Sequence, residues 1–125
     1  MPTVTLNSEN FDQTIENNDI VFLDFWASWC GPCQTFGPIF EAASEQHPDI
    51  TFGKINTEEE RELAQRFQIS SIPTLMIYRE QIALFLQPGA LPAAALDNLI
   101  GQVKALDMDD VRRQIAEQSK KQQSS

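Results

Sequence analysis

Residues 20–38 read IVFLDFWASWCGPCQTFGP, and the fold follows from how this run changes character halfway. Ile20, Val21, Phe22, Leu23, Phe25 and Trp26 place apolar groups on both faces of an extended segment. That pattern predicts a central strand buried on both sides. The apolar run breaks at Ala27 and Ser28, and a helical segment begins at two cysteines separated only by Gly31 and Pro32. Cys30 and Cys33 are the only two cysteines of the chain, about one helical turn apart and within bonding reach of each other. The spacing reads as a redox site.

The chemistry favours this spacing. A cysteine in the first turn of a helix meets unpaired N–H groups and the positive end of the helix dipole, which stabilise its thiolate. Cys30 at that place would attack a substrate disulfide, and Cys33, one turn further in, would resolve the mixed disulfide. Pro32 suits a first turn because its missing N–H has no helical partner there. Gly31 carries no side chain, so a partner polypeptide can approach the sulfur. CxxC is also half of a zinc site, but zinc usually needs four protein ligands and the chain has one histidine, His47, and no further cysteine. No metal site is expected.

The run Asp24-Phe25-Trp26-Ala27-Ser28-Trp29-Cys30-Gly31-Pro32-Cys33 resembles the active-site signature of the thioredoxin family. Ile72-Pro73-Thr74, some forty residues later, is similar to that family's second hallmark, a cis-proline loop facing the dithiol. The similarity extends in order and spacing over about residues 3–105. It implies a protein-disulfide reductase with a Cys30–Cys33 redox disulfide and no cofactor, acting on disulfide-containing client proteins and recharged by a thioredoxin reductase.

Composition sets the outer limits. A chain of 125 residues suits one domain with a moderate core. No apolar run is long enough for a transmembrane helix. The N-terminus MPTVTLNSEN has neither a basic start nor an apolar signal segment, so a cytoplasmic location is expected. A monomer is expected as well. Two cysteines in a reducing compartment are more often catalytic or metal-binding than a structural staple. Net charge is -9, and no basic residue precedes Lys54. Nucleic acid and membrane surfaces are therefore not expected partners.

In chain order, Thr3 to Leu6 suits a short edge strand, and Asn7 or Ser8 caps a helix to about Asn17 with Phe11 and Ile15 inward. A helix from about Cys33 to Gln46 carries Pro38 inside it, where a kink is expected, and ends at His47-Pro48-Asp49. His47 lies fourteen residues beyond Cys33, about 21 Å along a helix, too far for a Cys–His pair. Ile50 to Asn56 is a strand, and Thr57 with Glu60 predicts a capping box for a helix to about Phe67. Leu63, Ala64 and Phe67 would face inward.

Thr74 to Tyr78 and Ile82 to Leu86 predict an antiparallel hairpin, although its turn lacks glycine. Pro88-Gly89 closes the sheet. After Pro92, Leu96, Leu99, Ile100 and Val103 mark one helical face. Strands alternating with helices make an α/β sandwich. Together with the resemblance this is a thioredoxin fold over residues 1–107: a central mixed β-sheet with helices on both faces. Residues 108–125 form an extension, with Met108, Val111 and Ile115 on one stripe of a short extra C-terminal helix and a disordered end from Lys120.

The resemblance also assigns roles outside the dithiol. Asp24 is a carboxylate in a strand otherwise apolar on both faces, so desolvation should raise its pKa. By resemblance it lies beneath the resolving cysteine and moves its proton, with Lys54 nearby. The Ile72–Pro73 segment, with Pro73 as the cis-proline, would offer backbone groups to an extended substrate strand. Trp29, Gly31, Pro32, Ile72, Gly89 and Ala90 would surround it as an apolar docking surface, while Trp26 packs. Gln34, Glu58 and Pro88 depart from the family pattern, which bears on reduction potential and partner choice. Two other readings share the chain: a thiol oxidase or isomerase on the same fold, and a non-catalytic scaffold domain.

Overall fold

The computed structural model describes residues 2–123. Five strands, β1 (Thr3–Thr5), β2 (Ile20–Trp26), β3 (Thr51–Asn56), β4 (Thr74–Arg79) and β5 (Ile82–Pro88), form one sheet. Five helices accompany them: α1 (Phe11–Asn17), α2 (Gly31–Gln46), α3 (Arg61–Arg66), α4 (Ala93–Ala105) and α5 (Met108–Gln123). The strand order is β1-β3-β2-β4-β5. β1, β3 and β2 run parallel, while β4 is antiparallel to β2 and β5 antiparallel to β4. The sheet is mixed, with β2 at its centre.

The doubly apolar run of β2 has a direct counterpart in the core. Ile20 and Phe22 join Phe36, Phe40, Phe52, Leu75 and the α4 residues Leu96, Ile100 and Val103 on one side. Val21, Leu23 and Phe25 join Phe11, Ile15, Ile55, Leu63 and Met76 on the other. A two-residue side-chain period decides which face each one meets. Gly53 sits beside Leu23 in this centre. A Cβ there would come within 2.6 Å of Leu6 Cδ1, so any larger residue would force Leu6 to move.

Several local expectations are corrected. Asn7 does not cap α1 directly. Its Oδ1 accepts from the N–H groups of Glu9 and Asn10, organising a turn from which α1 starts at Phe11. The Thr57–Glu60 capping box does not form. The Thr57 hydroxyl donates to the Trp26 carbonyl at 3.1 Å, and Glu60 accepts from the N–H of Ser8, so α3 begins only at Arg61. The hairpin turns without glycine by holding both Glu80 (φ 51°) and Gln81 (φ 67°) in the left-handed region. This places both central residues at positive φ, as a tight hairpin turn of the primed type requires.

α5 is longer than the expected short helix. It runs through Lys120 to Gln123, because Gln, Lys, Glu and Ala are good helix formers and propagate a helix once its first turn is anchored. Ser124 and Ser125 lie outside the described residues. Met108 is buried at 5% exposure and Val111 is half-buried, but Ile115 is 42% exposed, so the expected stripe packs only at its start. The anchor is the hairpin end. Arg79 donates to the carbonyls of Val103, Lys104 and Leu106, and Arg112 pairs with Glu80. Arg79 stands opposite Ile20, at the start of β2, whereas the cysteines follow its far end. The extension and the dithiol are at opposite ends of the sheet.

Candidate active site

α2 begins where β2 has delivered the chain to the sheet's C-terminal edge. Cys30 is its N-cap residue, in extended backbone, and the Cys33 N–H donates to the Cys30 sulfur at 3.2 Å. A side chain that normally would be serine or aspartate is here a sulfur, and it receives one of the orphan donors of the first turn. Pro32 occupies the first turn as expected, and the two sulfurs are joined as a disulfide with Cα atoms 5.2 Å apart. The redox pair stands in its oxidised form.

The second hallmark packs against the first. The Ile72–Pro73 bond is cis, and the Ile72 carbonyl oxygen lies 3.5 Å from Cys30 Sγ. Gly89, at φ 106°, donates its N–H to the Pro73 carbonyl at 2.8 Å. A left-handed backbone at this place favours glycine. Trp29 is 70% exposed, and Gly31, Pro32, Gly89 and Ala90 are exposed as well. Pro73 itself is buried and Ile72 half-buried against Cys30, Cys33 and Ala27. A large aromatic left in water next to a reactive pair is an available contact surface.

Gln34 and Glu58 connect the loop around the dithiol to its neighbours. Gln34 donates through Nε2 to the Ser28 carbonyl at 3.1 Å, and the Ser28 hydroxyl donates to Glu58 at 3.2 Å. These bonds tether the loop before Cys30 to the turn after β3. Trp26 is half-buried, consistent with packing.

Asp24 lies on the α2-facing side of β2, in step with Ile20 and Phe22. Its residue is 1% exposed, and neither carboxylate oxygen has a hydrogen-bond partner among the described residues. Burial pushes its carboxyl up to about 7, partly opposed by the Lys54 ammonium. Lys54 is its register partner on β3. A cavity of about 370 Å³ opens beside Lys54, lined by Cys33, Gly37, Glu41, Lys54 and Trp26 among others. Glu41 was absent from the sequence-based site. Its signal was available: Cys33, Gly37 and Glu41 recur every fourth residue, on one face of α2. His47, by contrast, caps the far end of α2 and meets Lys104, not a cysteine. Among the described residues, no group of three or more His, Cys, Asp or Glu could hold a metal ion. No described helix is long and apolar enough to cross a membrane.

Comparisons with known proteins agree with this geometry. The thioredoxin family model matches residues 2–102. A putative thioredoxin 2 of Streptomyces coelicolor is 63% identical over 116 residues, covering 93% of this chain and 87% of that protein. The thioredoxin of Alicyclobacillus acidocaldarius is 44% identical over 78 residues, covering 62% and 74%. Plasmodium falciparum thioredoxin superposes with a TM-score of 0.74 at 31% identity, covering 80% of this chain and 98% of that one. The chain belongs to the thioredoxin family. It is a dithiol–disulfide oxidoreductase that reduces client-protein disulfides through the Cys30–Cys33 pair.

Proposed function

We propose that this family member divides its chemistry between an attacking thiol, Cys30, and a resolving thiol, Cys33, with Asp24 as the proton acceptor for Cys33. The observation that carries the reading is the N-cap sulfur of Cys30, which receives the Cys33 N–H and faces the Ile72 carbonyl. The reduced form attacks as a thiolate, because the same N–H and the helix start favour negative charge on that sulfur. Cys30 Sγ bonds to one client sulfur, the client S–S bond breaks, and the other client sulfur leaves as a thiolate that takes a proton. Cys33 then loses its proton to Asp24 and attacks Cys30 Sγ. The mixed disulfide breaks, and the second client sulfur departs as a thiolate that takes the proton held by Asp24. Two electrons and two protons have passed to the client, leaving Cys30–Cys33 oxidised.

Pro73, held in the cis loop, and the Ile72 backbone receive the client as an extended segment, with Trp29, Gly31, Pro32, Gly89 and Ala90 as its apolar surround. Lys54 moderates the charge on Asp24. A thioredoxin reductase returns the disulfide to the dithiol, and the chain works as a cytoplasmic monomer in which residues 1–107 carry the activity. Insulin reduction, coupled to a thioredoxin reductase and NADPH, tests the scheme. Turnover that persists when both cysteines are replaced would overturn it in favour of a scaffold role, and a strongly oxidising potential would favour an oxidase.

A further inference from the structure

Lys54 and Asp24 are side by side on adjacent parallel strands, yet they do not pair. The flexible stem of a lysine could carry its ammonium to a neighbouring carboxylate, and an unpaired buried carboxylate is costly. Instead both Asp24 oxygens lack hydrogen-bond partners among the described residues. The Lys54 Nζ is 3.8 Å from Glu41 Oε1 and 5.1 Å from the centre of the Trp26 ring. It also lies 3.8 Å from where a Cβ on Gly37 would stand, so it runs along the α2 face that carries Cys33 and Glu41. Lys54, Glu41 and Trp26 line two adjoining cavities, the one at Cys33 and a second of about 450 Å³ toward β1.

We infer that Glu41 is a positioning residue: it draws the Lys54 ammonium to the boundary between these two cavities and withholds it from Asp24. The inference rests on the assignment of Asp24 as the proton acceptor. Its consequence is chemical. A base paired to an ammonium is a weaker base, so keeping Lys54 at Glu41 leaves Asp24 able to take the Cys33 proton near neutral pH. The ionisable groups on this side are Lys54 from β3, Cys33 and Glu41 from α2, and Glu59 from the turn after β3. β4 presents apolar Leu75 opposite Asp24.

The test is the titration of the Asp24 carboxyl carbon, followed by NMR in the oxidised protein. Glu41→Gln keeps shape and removes charge, and the side chain is 45% exposed, so folding is preserved. Freed from Glu41, Lys54 turns to Asp24, and the midpoint falls by about one pH unit toward the ordinary carboxylate range. In a Lys54→Met background the same substitution leaves the midpoint in place, because Glu41 acts through Lys54. An unmoved midpoint in Glu41→Gln overturns the inference, and so does an equal fall in both backgrounds, which would mean a direct field effect. Either result leaves the base assignment standing, since that is judged separately by the turnover of Asp24→Asn.

Discussion

Asp24 and Lys54 stand opposite each other across the β2–β3 pair, yet the carboxylate accepts no hydrogen bond from any described residue and the ammonium turns to Glu41. A carboxyl in this position favours its protonated form. Burial holds its folded pKa at about 7, above the ordinary carboxylate range, so ionisation opposes folding. The Asp24 contribution is unimpaired below about pH 4, declines as pH rises toward 7, and levels off above that. The full loss is on the order of 4 kcal/mol. Asp24→Asn should therefore gain stability over the wild type progressively across that window while slowing insulin reduction on the order of 10-fold. Urea midpoints of the two proteins at pH 4, 6 and 8 decide it, and a constant gap would refute the buried acid.

The reduced cysteines should differ in rate although in the disulfide form they are equally hidden, at 4% exposure for Cys30 and 5% for Cys33. What separates them is charge stabilisation, since Cys30 receives the Cys33 N–H at the helix start. Iodoacetamide at neutral pH should label Cys30 much faster, as read by peptide mass mapping. Cys33→Ser should accumulate mixed disulfides with clients, and Cys30→Ser should not. Equal labelling would remove the basis for the two roles.

Trp29 can be tested apart from the chemistry, because a side chain 70% exposed adds little to the fold. Trp29→Ala should raise KM for protein clients several-fold with kcat and the unfolding midpoint nearly unchanged. Small disulfides that do not reach the surface around it should be reduced at the wild-type rate. A loss in kcat alone would move Trp29 from docking to catalysis.

Gln81 holds a left-handed backbone at φ 67° without the freedom of glycine. That conformation costs an L-residue about 1–2 kcal/mol, partly offset by the greater unfolded entropy of glycine. Gln81→Gly should raise the urea midpoint by the equivalent of about 0.5–1 kcal/mol, with the slope unchanged. The neighbouring Glu80 is left in place because it pairs with Arg112. A lower midpoint would contradict the strain.

Removing the chain after Ala105 deletes the Leu106 carbonyl that Arg79 meets and the buried Met108. Stability should fall by about 2 kcal/mol while disulfide reduction is kept, since the extension attaches at the opposite end of the sheet from Cys30. Removal after Gln114 should be nearly neutral, because the described side chains beyond it are exposed. Faster turnover after either cut would mean the tail covers the dithiol.

The sequence by itself determined whatever depends on neighbours a few residues apart. The doubly apolar β2, the cysteines one turn apart with Pro32 between them, and the apolar stripe of α4 all follow from strand and helix periods, which are local geometry. Ile72-Pro73 could be placed against the dithiol only through the family resemblance, since no local rule joins residues forty positions apart. The tertiary structure alone decided which polar group each side chain would find. Thr57 had a capping partner three residues away, but the Trp26 carbonyl at the end of β2 came within reach and took its hydroxyl. Ile115 shares a stripe with Met108, yet the surface beneath α5 ends before reaching it. Lys54 could be read as a neighbour of Asp24, but only the packing of α2 over β3 brings Glu41 to its ammonium. Such choices are settled by competition among groups far apart in the chain, with energies of about 1 kcal/mol each, and no local pattern records the outcome.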